Sequence, residues 1–469
     1  MGVIEIAISL SYLIGILLAI DALWKSRTPQ GATAWIIALL LLPMLTVPFF
    51  LIFGKSRFIG KVELKKIKDK SALAEIREID HFLNHDLSQK EKLICLDHIA
   101  ELSGQPGFTN GNHAEILING DETYAEILKH INEAKEYILF QFYIFKSDKV
   151  GETFIEALSK KASEGVRVYF LSDKIGTRLN KKFINRLISN GVQVKVFYSS
   201  KDWDSRFQIN FRNHKKLVIV DGKVCITGGL NIGEDYIGKD PIMGFWRDTA
   251  ILIEGPAVQV AQISFITDWY WSSNEIIDLN WDASFQPENS QLMVQYTGPN
   301  DPLEAAHLIH LQLINDAKEK LWIATPYFIP PEGIFHAIVL AKMRGVDVRV
   351  ILPSTSDNPM LFYATQVYIE KLLKHKIPVY LYKKGFMHQK VLMTDEVVSI
   401  GSLNIDSRSF FLNFEIFTVC NEKSLLEQAE SMLLKDMVHS EEVTLAQLNR
   451  RPLWEQLLSR FFNLFSPVL

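Results

Sequence analysis

Apolar positions along this chain follow two different patterns. The first is unbroken: no charged side chain occurs between Thr28 and Gly54, and the run from Ala32 to Phe53 is almost wholly apolar. At 1.5 Å per residue that run is roughly 33 Å long as a helix, enough to cross the hydrocarbon core of a bilayer. Before it lies GVIEIAISLSYLIGILLAIDALW, charged only at Glu5 and Asp21, near its ends. The pattern predicts two membrane helices within residues 1–56, over about 3–24 and 32–53. Pro43 and Pro48 interrupt the second, but membrane helices tolerate proline better than soluble ones. A cleaved signal fits poorly, since no basic region precedes the apolar run and no small-x-small site follows it. A buried soluble hairpin is the other alternative.

The second pattern begins near residue 111, where helical periods alternate with short β-branched runs, and the alternation is written twice. INEAKEYILFQFYIF from Ile131 is answered by INDAKEKLWIATPYFIP from Ile314, each a helix end leading into a buried strand. ALSKKASEGVRVYFLSD and INRLISNGVQVKVFY are answered by IVLAKMRGVDVRVILPS and IEKLLKHKIPVYLY. Such alternation predicts an α/β fold of βαβ units, each half a mainly parallel sheet flanked by helices. The expected divisions are a charged linker over 57–110, a first domain over 111–285 and a second over 286–449. The first half carries an insertion between Phe197 and His214, including KDWDSRF, expected as an active-site loop. At the C-terminus, 450–469, Leu453, Trp454, Leu457, Leu458, Phe461, Phe462 and Phe465 fall at helical spacing. They predict a helix either packed on the core or lying at a membrane surface.

Each half closes on the same polar pattern inside an apolar run: NHKKLVIVDGKVCITGGLN from Asn213 and MHQKVLMTDEVVSIGSLN from Met387. On a strand, residues two apart share a face, so His214 projects with Lys216 and His388 with Lys390. Asn231 and Asn404 follow small-residue turns that admit close approach of backbone and ligand. Two imidazoles, two ammonium groups and two amides meeting about a pseudo-twofold axis would suit a phosphate diester. Lysines and amides would hold the non-bridging oxygens, while one histidine attacks phosphorus and the other protonates the leaving alkoxide. Asp248 in FWRDT and Glu415 in NFEIF are the candidates to orient the imidazoles, as a carboxylate does in other catalytic arrays. Asp221 and Asp395 complete the motif at a strand–turn end, where a capping role outweighs a chemical one. This is double displacement without a metal; lysine is a poor zinc ligand and no usual ligand spacing occurs.

These residues resemble the phospholipase D superfamily, whose signature is H-x-K-x4-D followed by G-S/G-x-N. The likeness sharpens to the bacterial cardiolipin synthases at KSRTPQGATAW, FRNHKK, ITGGLNIGEDY, WRDT, TPYFIP, GVDVRVILPS and GSLNIDSRSFFLNFE, and covers nearly the whole chain. The resemblance implies duplicated phospholipase D-like domains behind a two-helix anchor, in a bacterial inner membrane. Its reaction would convert two phosphatidylglycerols to cardiolipin and glycerol through a phosphatidyl-histidine, with no cofactor. Residue spacing does not choose between the histidines; the resemblance makes His214 the nucleophile and His388 the general acid, then base. Gly229 stands where the superfamily often has serine, whereas the second half keeps Ser402.

Charge and composition narrow the alternatives. A net charge of −4 and 48% hydrophobic residues exclude a disordered chain and argue against a nucleic-acid groove. A membrane-tethered nuclease is therefore disfavoured against a phospholipid transferase or hydrolase, and a non-catalytic scaffold leaves two His/Lys pairs unexplained. Cys95, Cys225 and Cys420 form no disulfide framework and suit a reducing compartment. Lys25 and Arg27 lie between the expected spans, whereas Lys55, Arg57, Lys61, Lys65, Lys66, Lys68 and Lys70 follow the second. That excess places the body of the chain in the cytoplasm, with the basic stretch against anionic headgroups.

Overall fold

The computed structural model describes residues 2–54, 93–177, 179–198, 210–282 and 284–467. The basic stretch from Lys55 to Lys70 and the KDWDSRF loop lie outside the described residues.

The first expected span is a helix, Val3–Lys25, with Glu5–Lys25 long and apolar enough to cross a membrane. The second is not one helix. It divides at Leu42 into Pro29–Leu41 and Pro43–Phe53. A residue preceding proline is pushed out of the helical region, and Leu42 adopts φ −135°, ψ 56°. The two pieces then fold back on each other. Trp35 and Phe50 meet edge to face with centroids 5.2 Å apart, although fifteen residues of straight helix would separate them by about 22 Å. Thr46 Oγ1 donates to the Ala38 carbonyl at 3.0 Å, in the same antiparallel register. The turn rests at Gly15, halfway along the first helix, where a Cβ would lie 2.7 Å from the Leu39 carbonyl oxygen. Ala19, Ala22, Leu39 and Phe50 are buried between the three pieces.

Of the expected linker, Ile94–Leu102 is a helix, and its Leu96 and Ala100 join the core beneath the helix Ala305–Asp316 of the second half. Beyond it, one sheet runs through both halves. From the centre outward the first half contributes Thr109–Ile118, Thr249–Glu254, Val224–Gly228, Leu217–Val220, Tyr137–Phe142, Arg167–Asp173 and Gln193–Phe197. The second repeats that order with Ser290–Thr297, Asn413–Cys420, Val398–Gly401, Val391–Thr394, Lys320–Ala324, Asp347–Pro353 and Val379–Tyr382, and Ser440–Glu442 at its edge. The halves join where Thr109–Ile118 pairs antiparallel with Ser290–Thr297.

The sheet is mixed, which corrects the expectation of a mainly parallel one. Along the main strand order only the three βαβ strands of each half pair in parallel. The motif strand runs antiparallel to its neighbours on both sides. A parallel connection needs a crossover of a dozen residues or more, and the link from Val220 to Val224 is too short. Asp221 (φ 53°) and Gly222 (φ 67°) turn the chain there, with the left-handed pair of a tight hairpin. The helix Ala257–Ser273 is buried along most of its length. It packs in a core that also takes Trp322, Tyr382, Met387 and Val391 from the second half.

The C-terminal helix, Leu453–Asn463, packs along one face on the second half. Phe462 stacks on Tyr363 and Arg460 pairs with Glu370, fixing one face to the helix Pro359–Lys374. The other face leaves Leu453, Trp454, Leu457 and Phe461 between 53% and 76% exposed.

Candidate active site

Each histidine is placed by a strand that crosses to the other half. Arg212–Asn213 pairs in parallel with Asn413–Phe414, Asn213 opposite Phe414. The His214 amide donates to the Phe414 carbonyl at 2.8 Å. One further step along that register sets His214 beside Glu415. Its Nδ1 lies 3.0 Å from both carboxylate oxygens. The reciprocal pair is Gly385–Met387 with Phe245–Arg247, Met387 opposite Arg247. It sets His388 Nδ1 2.7 Å from Asp248 Oδ2. So although each carboxylate follows its own half's motif in sequence, it holds the imidazole of the other. A carboxylate only accepts, so Nδ1 of each neutral ring carries the proton and Nε2 presents its lone pair.

The lysines share these faces. Lys216 Nζ donates to the His214 carbonyl at 2.6 Å, and Lys390 Nζ lies 3.0 Å from His388 Nδ1. Lys390 also runs past the small-residue turn of the first half, where a Cβ on Gly229 would stand 3.1 Å from its Cδ. Burial lowers both ammonium groups, Lys216 well below its ordinary value and Lys390 to about 8, against the pull of Asp248 and Glu415. Burial also pushes His214 down to about 4, with Glu415 opposing and Lys216 and Lys390 adding to the fall. His388 is lowered by burial and by Lys390, against Asp248. Both rings are thus neutral near pH 7. Burial raises the Glu415 carboxyl, but His214, Lys216 and the Ser402 hydroxyl outweigh it and leave the group below the ordinary glutamate value.

The two half-sites differ in one compensated pair. Ser402 Oγ donates to Glu415, and Asn413 Nδ2 donates to the same carboxylate at 3.1 Å. In the first half a Cβ on Gly229 would lie 2.1 Å from Asp248 Oδ1. The shorter aspartate therefore requires glycine, while the longer glutamate leaves room for serine. The amides differ too. Asn231 is locked, its Oδ1 accepting from the Ile144 amide at 3.0 Å and its Nδ2 donating to the Tyr236 hydroxyl at 2.9 Å. Asn404 Oδ1 is buried without a protein partner.

Asp221 and Asp395 stand apart from the rings. Asp221 accepts from the amides of Lys135, Glu136 and Tyr137 at 2.8–2.9 Å. Asp395 accepts from Lys318, Glu319 and Lys320 at 2.9–3.3 Å. Each clamps the start of the strand beside its motif, so neither is free to act on a substrate at the imidazoles. Sequence reasoning also missed the aromatic walls. Tyr143 meets His214 edge on at 5.0 Å, and Trp246, Phe386 and Tyr236 surround His388 at 5.2, 5.8 and 6.2 Å. Tyr143 and Tyr327 fall at matching points of the repeated YIF and YFI runs, a signal visible in the sequence but read there only as strand.

A sequence profile described as "Cardiolipin synthase, PLD-like domain" matches residues 127–269 and 310–437. The chain belongs to that family. Proteins similar to this member include the cardiolipin synthase A of Pseudomonas fluorescens SBW25, 36% identical over 98% of this chain and 97% of that one. The cardiolipin synthase A of Pseudomonas syringae pv. syringae B728a is 37% identical over the same shares. Among solved structures, a phosphatidylserine synthase from Haemophilus influenzae Rd KW20 shares the fold, with TM-score 0.62 at 16% identity, over 76% of this chain and 95% of that one.

Proposed function

We propose that the chain transfers a phosphatidyl group from one phosphatidylglycerol to another, giving cardiolipin and glycerol. The observation that carries this reading is the crossed pair of carboxylate-held imidazoles, each with a lysine on the same face. In the first step His214 Nε2 attacks phosphorus while His388, doubly protonated once the anionic phosphate sits beside it, gives its Nε2 proton to the departing glycerol oxygen and returns to the neutral ring held by Asp248. Lys216, Lys390 and Asn404 hold the non-bridging oxygens of the trigonal-bipyramidal state, whose charge the site offsets. In the second step His388 takes the proton of the second lipid's glycerol hydroxyl as that oxygen attacks phosphorus and His214 departs. The two half-sites act as pseudo-twofold partners, and the aromatic walls favour lipid over water as acceptor by keeping the site dry. Purified protein in phosphatidylglycerol micelles, with products identified by mass spectrometry, tests the reading. Cardiolipin with free glycerol supports it, phosphatidic acid alone would make the protein a hydrolase, and neither would leave a scaffold.

The anchor reading changes with the broken second span. We infer that Val3–Lys25 crosses the bilayer and that 29–53 re-enters it as a hairpin. Its arms of 13 and 11 residues are about 20 and 17 Å long, against a core of about 30 Å. Both ends of the hairpin then lie on the side of the catalytic body. In agreement, Arg27 pairs with Glu304 at 3.1 Å and stacks 4.0 Å over Phe411. Lys25, Arg27 and the Lys55–Lys70 stretch then share one side, the cytoplasmic one by charge bias. The outward apolar stripe of Leu453–Asn463 is the second membrane contact. Single cysteines at Ser26 and Gly54, in a Cys95→Ser background, test this with an impermeant maleimide. Labelling from the same side supports the hairpin, and labelling from opposite sides restores two full spans.

A further inference from the structure

The two half-sites are not electrostatically alike. Arg212 lies two residues before His214, on the two-residue strand Arg212–Asn213 whose pairing the His214 amide extends to the Phe414 carbonyl, so its side chain is placed toward the face of His214, displaced about 6–7 Å along the chain. Arg408, four residues after Asn404, reaches the same place. Its Nη1 donates to Asn210 Oδ1 at 2.9 Å and its Nη2 to the Asn210 carbonyl. Arg212 Nη1 donates to the neighbouring Phe211 carbonyl at 3.1 Å. Both guanidinium groups act on Tyr143, the ring edge-on to His214, and both side chains are partly exposed. Burial and the nearby Arg212 charge lower the Arg408 guanidinium. Asp406 and Glu415 act on Arg408 in the opposite sense.

The matching positions on the His388 side carry nothing of the kind. Phe386 replaces Arg212 and is fully buried against Trp246. Asp235 replaces Arg408 and is paired with Lys146. Tyr327, the counterpart of Tyr143, donates to Asp357. At these matched positions the added charge is thus basic beside Tyr143 and acidic beside Tyr327.

The proposed reaction needs one such asymmetry. Two phosphates must be held at once: the one being transferred, between the imidazoles, and the one already in the accepting lipid, a glycerol unit away from the attacking hydroxyl. The repeated His/Lys/Asn set accounts for the first only. We propose that Arg212 and Arg408 seat the phosphodiester of the accepting phospholipid, which sets its glycerol hydroxyl over the phosphatidyl-His214 intermediate. Planar guanidinium groups suit two oxygens of one phosphate. This assignment rests on the transfer reading above.

The test compares two acceptors that share one intermediate. Cardiolipin formation uses a phosphate-bearing acceptor, whereas exchange of isotope-labelled glycerol into phosphatidylglycerol uses one without phosphate. In Arg212→Gln and Arg408→Gln the ratio of cardiolipin formed to glycerol exchanged is expected to fall tenfold or more, with a raised KM for the accepting lipid. Arg212→Lys and Arg408→Lys should recover part of that ratio. An unchanged ratio, whether both rates fall together or neither falls, would overturn the seat. Added inorganic phosphate distinguishes the source: no shift of the wild-type ratio is expected, and a shift would make the seat one for free phosphate. Wild-type protein inert in both reactions, or exchanging glycerol without forming cardiolipin, would sink the transfer reading and the seat with it, whereas an unchanged ratio in the variants of an active enzyme sinks the seat alone.

Discussion

The crossed pairing makes Glu415→Gln the most informative single change. When His214 takes up the phosphatidyl group at Nε2, with Nδ1 still protonated, the ring becomes cationic. Both oxygens of Glu415 then face that charge at 3.0 Å. With an effective dielectric constant of about 20, Coulomb attraction at this distance is about 5.5 kcal/mol, about four factors of ten in rate. Glutamine keeps the shape and one acceptor but removes the charge, so part of the geometry survives. The expected loss in the initial rate of cardiolipin formation is therefore about 10³- to 10⁴-fold, similar to removal of the orienting charge in a Ser-His-Asp array. Diethyl pyrocarbonate labelling, read peptide by peptide, supplies the second measurement. Labelling at His214 should change while labelling at His388 keeps its wild-type rate, although Glu415 belongs to the half of the chain that carries His388. Activity within tenfold of wild type, or a labelling change at His388 instead, would refute the crossed assignment.

Three further outcomes follow from the same geometry. Gly229→Ser places a Cβ 2.1 Å from Asp248 Oδ1; it should displace the carboxylate from His388 and cut turnover by about two orders of magnitude or more, with the melting temperature moving little. Asp221→Ala and Asp395→Ala each remove a charged acceptor from three backbone amides. A charge-assisted hydrogen bond contributes about 1.5–3 kcal/mol, so thermal denaturation should show a clear loss of stability while kcat per folded molecule persists. Lys390, held near pKa 8, is cationic below that pH and neutral above it. Substrate phosphate is bound by the cation, so kcat/KM should fall as pH rises through about 8, and Lys390→Arg should move that limb upward.

The chain announced its chemistry because the relevant relations are local. His214 and Lys216, like His388 and Lys390, are two residues apart in the short link that leads into the motif strand. The duplication of the motif inside matched β-branched runs pointed to a paired site, and Asp248 and Glu415 were legible as the carboxylates that follow. The two arms of the 29–53 segment were less legible, because a hydropathy pattern measures apolar length and does not report the backbone angle at Leu42.

What only the tertiary structure decided was which group meets which. The partnership of His214 with Glu415 depends on a two-residue strand, Arg212–Asn213, finding its register against Asn413–Phe414. Nothing within either half states that register. The mixed sheet has a similar origin, since strand direction follows from the Asp221–Gly222 turn and from the clamp that Asp221 forms with Lys135–Tyr137, residues far apart in sequence. The Gly229–Asp248 and Ser402–Glu415 exchanges also become intelligible only when a side-chain length is read against the space facing it. Residue type and periodicity record what a side chain can do on its own strand. Its partner across the interface is set by packing of the two halves, a long-range property that no short stretch encodes.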